Sequence, residues 1–205
     1  MNRGGSRPRP IVCAITGASG APYALRLLDQ LVASNQRVQL VVSDHGLRLL
    51  ATESDVRSVD DLRARIGPEA WDRCIETFDD GDRGAAPASG SALTAGMVVC
   101  PCSMGTLSAI AVGASRSLIE RAADVTLKEQ RKLVLVPRET PLSAIHLGNM
   151  LRLTRAGAVV MPAAPGFYHR PKEISDLVDF MVARMLDHLG VEQNLVSRWK
   201  GEAER

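Results

Sequence analysis

Uninterrupted apolar runs alternate with segments of helical spacing along most of this chain, and that alternation constrains the fold more than any other feature. Residues 11–16 (IVCAIT) read as a strand buried on both faces, because nothing in them alternates with polar residues. Gly17-Ala18-Ser19-Gly20 breaks the run. Leu25, Leu28 and Leu31 then recur at helical spacing, with Pro22 in the first turn, where its missing N–H costs nothing. A second strand, Val38–Val42, and a helix over 45–52 follow. A β-α-β-α opening of this kind requires a parallel sheet with right-handed crossovers.

Residues 54–91 interrupt the pattern. They are charged at first (Asp55, Asp60, Asp61, Arg63, Arg65) and then rich in small residues. They are expected to hold a helix at 59–66, a strand at 74–78 and a long loop, a feature that is often functional in compact domains. The alternation then returns. Strands are predicted at 97–100, 133–136 and 158–161, and helices at 105–113, 117–127, 143–154 and 172–189. The expected architecture is one three-layer α/β/α domain over 11–190 with a mainly parallel sheet. Residues 1–10 are expected to be a disordered tail and 191–205 a C-terminal tail carrying Trp199.

Composition narrows the function classes. Lys and Arg exceed Asp and Glu only by 25 to 23, so nothing calls for a nucleic-acid partner, and any phosphate must be held by locally placed cations. Two Trp, two Tyr and three Phe are too few for stacking along single strands. Cys13, Cys74, Cys100 and Cys102 form no C-x-x-C pair and read as reduced, buried thiols. With scattered histidines, no metal site is expected. The first ten residues lack a signal-peptide core, and no apolar run reaches the roughly 18 residues of a membrane span, so a cytoplasmic protein is expected.

Four segments could carry chemistry. T-G-A-S-G after the first strand and C-P-C-S-M-G-T after the fourth each place small residues and hydroxyls where a helix opens, an arrangement suited to anions. Either could equally be a plain capped turn, the first with Ser19 as its cap. The two turns can face each other across the crevice of an open sheet, and Ser43 lies at the same edge. Arg121, Asp124 and Lys128 share one helical face, and Arg138-Glu139 directly follow a buried strand. Pro165 to Pro171 (PGFYHRP) is an aromatic, cationic loop resembling a lid. No D-D-x-x-D magnesium motif occurs, since neither Asp60-Asp61 nor Asp79-Asp80 has the third Asp. On these residues alone the chain reads as an α/β enzyme that handles a phosphate-bearing cofactor.

Taken together, these segments resemble the flavin prenyltransferase family of the UbiX/Pad type. The resemblance runs in order through TGASGAPYALRLL, Ser43, Thr52-Glu53, PASGS, CPCSMGTLSAIA, LIERAADVTLKE, LVLVPRETPLSAIHLGNML, GAVVMPAAPGFYHRP and Arg198-Trp199. It implies a Rossmann-like (flavodoxin-like) fold and a metal-independent transfer of a prenyl group from dimethylallyl phosphate to N5 and C6 of reduced FMN. The prenylated FMN would serve a separate decarboxylase, and the enzyme would be a homododecamer. The resemblance assigns Gly17, Ala18, Ser19, Ser43, Ser103, Met104, Gly105, Thr106 and Arg138 to FMN. It assigns Arg121, Lys128, Tyr168 and Arg184, with Arg138, to the prenyl phosphate, Ala88 and Ser89 to the prenyl pocket, and Trp199 to its closure. Glu139 is its acid/base candidate, Glu53 a second, and Ser19 a proton relay at N5. Met104 and Gln130 depart from common family residues without removing a catalytic group. Flavin-dependent cysteine decarboxylases, which carry an active-site His and a P-x-M-N motif absent here, are the nearest alternative; a non-catalytic flavin-binding module is the other.

Overall fold

A computed structural model describes residues 8–196. Six strands form one parallel sheet: β1 (Ile11–Ile15), β2 (Val38–Val42), β3 (Ile75–Phe78), β4 (Gly96–Cys102), β5 (Lys132–Pro137) and β6 (Val159–Val160), in the order β3-β2-β1-β4-β5-β6. This is the doubly wound order of dinucleotide-binding sheets; without the outer β3, the remaining strands follow the flavodoxin order. The chain therefore reverses direction across the sheet between β1 and β4, which is where such folds open a crevice.

Eight helices cover the two faces: α1 (Ala21–Ala33), α2 (Asp44–Glu53), α3 (Val59–Ile66), α4 (Pro68–Cys74), α5 (Met104–Ala111), α6 (Leu118–Lys128), α7 (Ala144–Arg155) and α8 (Ile174–Leu189). The period-two alternation of strand side chains builds two cores. Ile11, Cys13, Ile15, Leu40, Val98 and Val134 pack against α1 and α8, while Val12, Ala14, Met97, Val99, Leu133 and Leu135 pack against α5 and α6. An Arg26–Asp179 ion pair at 2.6 Å ties α1 to α8. None of the described helices is long and apolar enough to cross a membrane.

Two features depart from expectation. α4 falls between the expected helix at 59–66 and the expected strand at 74–78, where no element was expected: it is seven residues long and buries just Trp71 and Cys74, too little pattern to read as a helix. β6 shrinks to two half-buried residues. The segment expected as a long loop does connect β3 to β4, with one short 3-10 turn at Ala86–Ala88.

Candidate active site

The crevice is built on a stitch between β1 and β4. The Thr16 hydroxyl donates to the Pro101 carbonyl (2.9 Å) and accepts from the Ser103 amide (2.8 Å), so the two small-residue turns are held side by side. A Cβ on Gly17 would lie 2.5 Å from the Cβ of His45, so only glycine lets the first turn close against α2. A cavity of about 940 Å³ opens here, lined by Gly17, Ser43, Ser103, Gly105 and Thr106 on one side and by Asp79, Asp80 and Gly81 on the other.

The reading of the first turn as an anion site, or as a helix start capped by Ser19, needs correction. The N-cap of α1 is Gly20, at φ 132°, and the amides of Gly20 and Ala21 both donate to the Glu53 carboxylate at 2.8 Å. The chain thus fills this helix N-terminus with its own anion. Partial burial pushes the Glu53 carboxyl up. Hydrogen bonds from Gly20, from the Ser19 hydroxyl and from Ala21, together with the positive charge of Arg138, outweigh it and hold the group below the ordinary carboxylate value. Ser19, Glu53 and Arg138 are thereby assembled at one edge.

Two other helix starts face the cavity. Ser43 caps α2 by accepting from the Gly46 amide at 3.1 Å. Ser103 caps α5 by accepting from the Thr106 amide (3.1 Å), and its hydroxyl also meets that of Thr106 at 3.0 Å. A Cβ on Gly105 would meet only the Ser103 hydroxyl, 3.8 Å away, so the backbone there is open to close approach. Ala18 and Met104 are buried beneath these turns.

The residues expected around the prenyl phosphate do not converge within one chain. Lys128 ends α6 just before β5 begins, so it lies at the amino edge of the sheet. The loop carrying Ser89 is pinned there: Arg131 donates to the carbonyls of Gly90 (2.6 Å) and Ala92 (2.9 Å). Ala88, in the 3-10 turn, packs beside α6. Tyr168 follows β6 at the carboxyl edge and makes an edge contact with Phe180 of α8, 5.7 Å between ring centres, and Arg184 lies one turn further along that helix. The two groups thus belong to helices on opposite faces of the sheet. Arg121, Lys128 and Arg184 each pair with a near neighbour, Asp124 (2.9 Å), Glu129 (2.6 Å) and Asp187 (3.3 Å). Arg138 and Glu139 are exposed, and the Glu139 carboxylate accepts the Thr140 amide at 3.1 Å. Trp199 lies outside the described residues.

Sequence reasoning passed over Thr16 and Asp80. Asp80 caps α6 through its carbonyl (Leu118 amide, 2.7 Å) and its carboxylate (Ile119 amide, 2.9 Å), a role its partners 38 and 39 residues downstream do not advertise. Cys13 and Cys102 are pushed up to about 12 by burial, so neither thiol serves as a nucleophile near neutral pH.

Comparison with known proteins places these features in a family. The family described as Flavoprotein matches residues 2–186. Flavin prenyltransferase UbiX of Pseudomonas aeruginosa is 52% identical over 205 residues, covering 95% of each chain. A crystal structure of AnUbiX (PadA1) in complex with FMN and dimethylallyl pyrophosphate superposes with a TM-score of 0.87 at 44% identity, covering 95% of this chain and 99% of that one. A dodecameric FMN-dependent UbiX-like decarboxylase from Escherichia coli O157:H7 gives 0.84 at 42% identity, covering 94% and 99%. The FMN-dependent cysteine decarboxylase TvaF, at 12% identity, shares the fold alone.

Proposed function

The chain belongs to the flavin prenyltransferases of the flavoprotein family, and from that premise we propose that it joins dimethylallyl phosphate to N5 and C6 of reduced FMN without a metal. The observation that carries the reading is the Ser19–Glu53–Arg138 assembly at the topological switch point, beside an open helix start at α5. The prenylated FMN would pass to a separate decarboxylase, and the enzyme would work in the cytoplasm as a homododecamer.

The crevice fits FMN in three respects. Gly105 leaves the backbone open, Ser43, Ser103 and Thr106 offer hydroxyls, and of the two helix starts left once Glu53 has closed α1, α5 has no acidic residue in its first turn whereas α2 has Asp44. Gly17, Ala18, Ser19, Met104 and Arg138 would complete the flavin site. Reduced FMN would supply the nucleophilic ring atoms. With the Ser19 hydroxyl directed to Glu53, its oxygen would be left to accept a hydrogen bond from a bound flavin. A proton leaving N5 can pass through that hydroxyl to the carboxylate, which is ionised at neutral pH and ready to take it.

Departure of the allylic phosphate concentrates negative charge on its oxygens. Arginine, lysine and tyrosine can stabilise that charge by charge-assisted hydrogen bonds, with Glu139 delivering the proton. Ser89, Arg121 and Lys128 belong to the α6 face and Tyr168 and Arg184 to the α8 face, so neighbouring copies would bring the two sets together, with Ala88 lining the prenyl pocket and Trp199 closing it. The exposed apolar side chains Ile145 (73%), Leu151 and Phe167 (68%) suit such an assembly.

The test is anaerobic incubation with reduced FMN and dimethylallyl phosphate, followed by mass analysis of the flavin. A mass gain of one dimethylallyl unit, undiminished by a chelator, supports the reading. An unchanged flavin, or strict dependence on Mg²⁺, overturns it.

A further inference from the structure

The start of α7 carries a lock in which histidine takes a place usually held by Glu or Gln. The Ser143 hydroxyl accepts from the His146 amide (3.2 Å), and in return Nδ1 of His146 accepts from the Ser143 amide (3.3 Å). This is a reciprocal capping box. A backbone amide can only donate, so Nδ1 must be unprotonated and the ring neutral, with its hydrogen on Nε2.

The lock sits at one end of the segment that bears Arg138 and Glu139. Residues 138–145 are exposed, and the hydrogen bonds of Thr140 reach only its neighbour Glu139. β5 anchors the segment at Pro137, and the capping box anchors it at Ser143. Beyond the box, α7 is fixed to α5 by Asn149, which donates to the Ser108 hydroxyl at 3.1 Å.

We infer that His146 is a positioning residue for Arg138 and Glu139, effective only as the neutral imidazole. Protonation removes the acceptor for the Ser143 amide and places a cation at a helix N-terminus, where the dipole disfavours it. Within its own chain the segment is then held only at Pro137. The elements packed closely on α7, α5 and β6, carry no titratable side chain. On the segment and on α7 themselves the charged side chains are Arg138 and Glu139, before the box, and Arg152 and Arg155, at the far end of the helix. The catalytic consequence rests on the function proposed above; the behaviour of the segment does not.

Amide hydrogen exchange of residues 138–146 tests the lock directly, at about pH 5.5 and about pH 8, either side of the range where imidazoles titrate. After correction for intrinsic rates, the wild-type segment exchanges about fivefold faster in acid, the effect of losing one capping interaction. His146→Gln, whose side-chain oxygen accepts at any pH, stays slow at both, and His146→Ala is fast at both. Identical wild-type rates at the two pH values, or a Gln variant that behaves like Ala, overturn the inference. In turnover assays with reduced FMN and dimethylallyl phosphate, wild-type kcat falls about tenfold in acid with KM little changed, and His146→Gln lacks that fall. A Gln variant with the wild-type acid limb removes the positioning role. Absence of prenylated flavin at every pH would instead sink the proposed function, while the exchange result still decides the fate of His146.

Discussion

The carboxyl ends of β1 and β4 and the segment beyond β5 both face the same edge of the sheet, yet one is finished and the other is not. At β1 and β4, Thr16 bridges the strands, Glu53 closes α1, and Ala18 and Met104 are buried. Beyond β5, residues 138–145 are exposed, and Leu153 is the buried residue of the twelve in α7. The first region needs only its own chain to set its geometry. The second presents charged and apolar side chains to whatever packs there. A flavin site can be preorganised by one chain, while a donor site split between the α6 and α8 faces, as proposed, would require a second.

Glu139→Gln probes the unfinished region and has the largest expected effect. Gln is nearly isosteric and can still accept the Thr140 amide, so thermal stability and binding of both substrates should persist. Losing a general acid–base group should slow turnover by about 10²–10⁴-fold. Single-turnover kinetics of the flavin spectrum, with binding measured alongside, check this. Near-normal turnover with weakened stability would make Glu139 a structural group and erase its contrast with Glu53.

The split of the donor site gives the next effect. Lys128→Ala and Tyr168→Phe should each weaken the donor about tenfold or more while leaving FMN affinity nearly unchanged, as loss of a charge-assisted hydrogen bond predicts. Mixing sharpens the point. If Lys128 and Tyr168 of one site come from different chains, co-assembly of the two variants restores about one site in four by random assortment. If both come from the same chain, no mixed site is intact and donor affinity does not recover.

How much of this was legible follows from the distance between partners. The helix Val59–Ile66 has its predicted bounds, because its cap Ser58 and its apolar residues are neighbours in sequence. The two turns at the crevice were legible for the same reason: each strand, turn and helix is continuous. Glu53 entered only through family resemblance, since the amides it caps lie 33 and 32 residues away and leave no local signature. Helical spacing correctly put Arg121 and Lys128 on one side of α6. It could not say that Lys128 ends at the amino edge, because that depends on where the helix starts, which Asp80 fixes from 38 residues away in sequence.

The smallest expected effect tests whether the finished region is held by charge. The folded value of Glu53 lies below its ordinary 4.5, so ionisation favours the folded state. That contribution is fully present above the unfolded value and is lost as the pH falls through the folded one. Glu53→Gln retains an acceptor for α1 but lacks the charge that Arg138 and the helix start attract. At neutral pH the variant should therefore be less stable by about 1 kcal/mol, the scale of a capping interaction partly open to solvent. The gap should close as the pH falls from the ordinary carboxylate value through the lower folded one, because the wild-type carboxyl is then increasingly protonated while Gln does not change. Denaturant unfolding of both proteins at about pH 7 and at a series of lower pH values, down to where the carboxyl is protonated, measures this. A gap of equal size throughout the series would mean that Glu53 acts by shape and hydrogen bonding alone, and the relay from Ser19 to an ionised carboxylate would lose its basis.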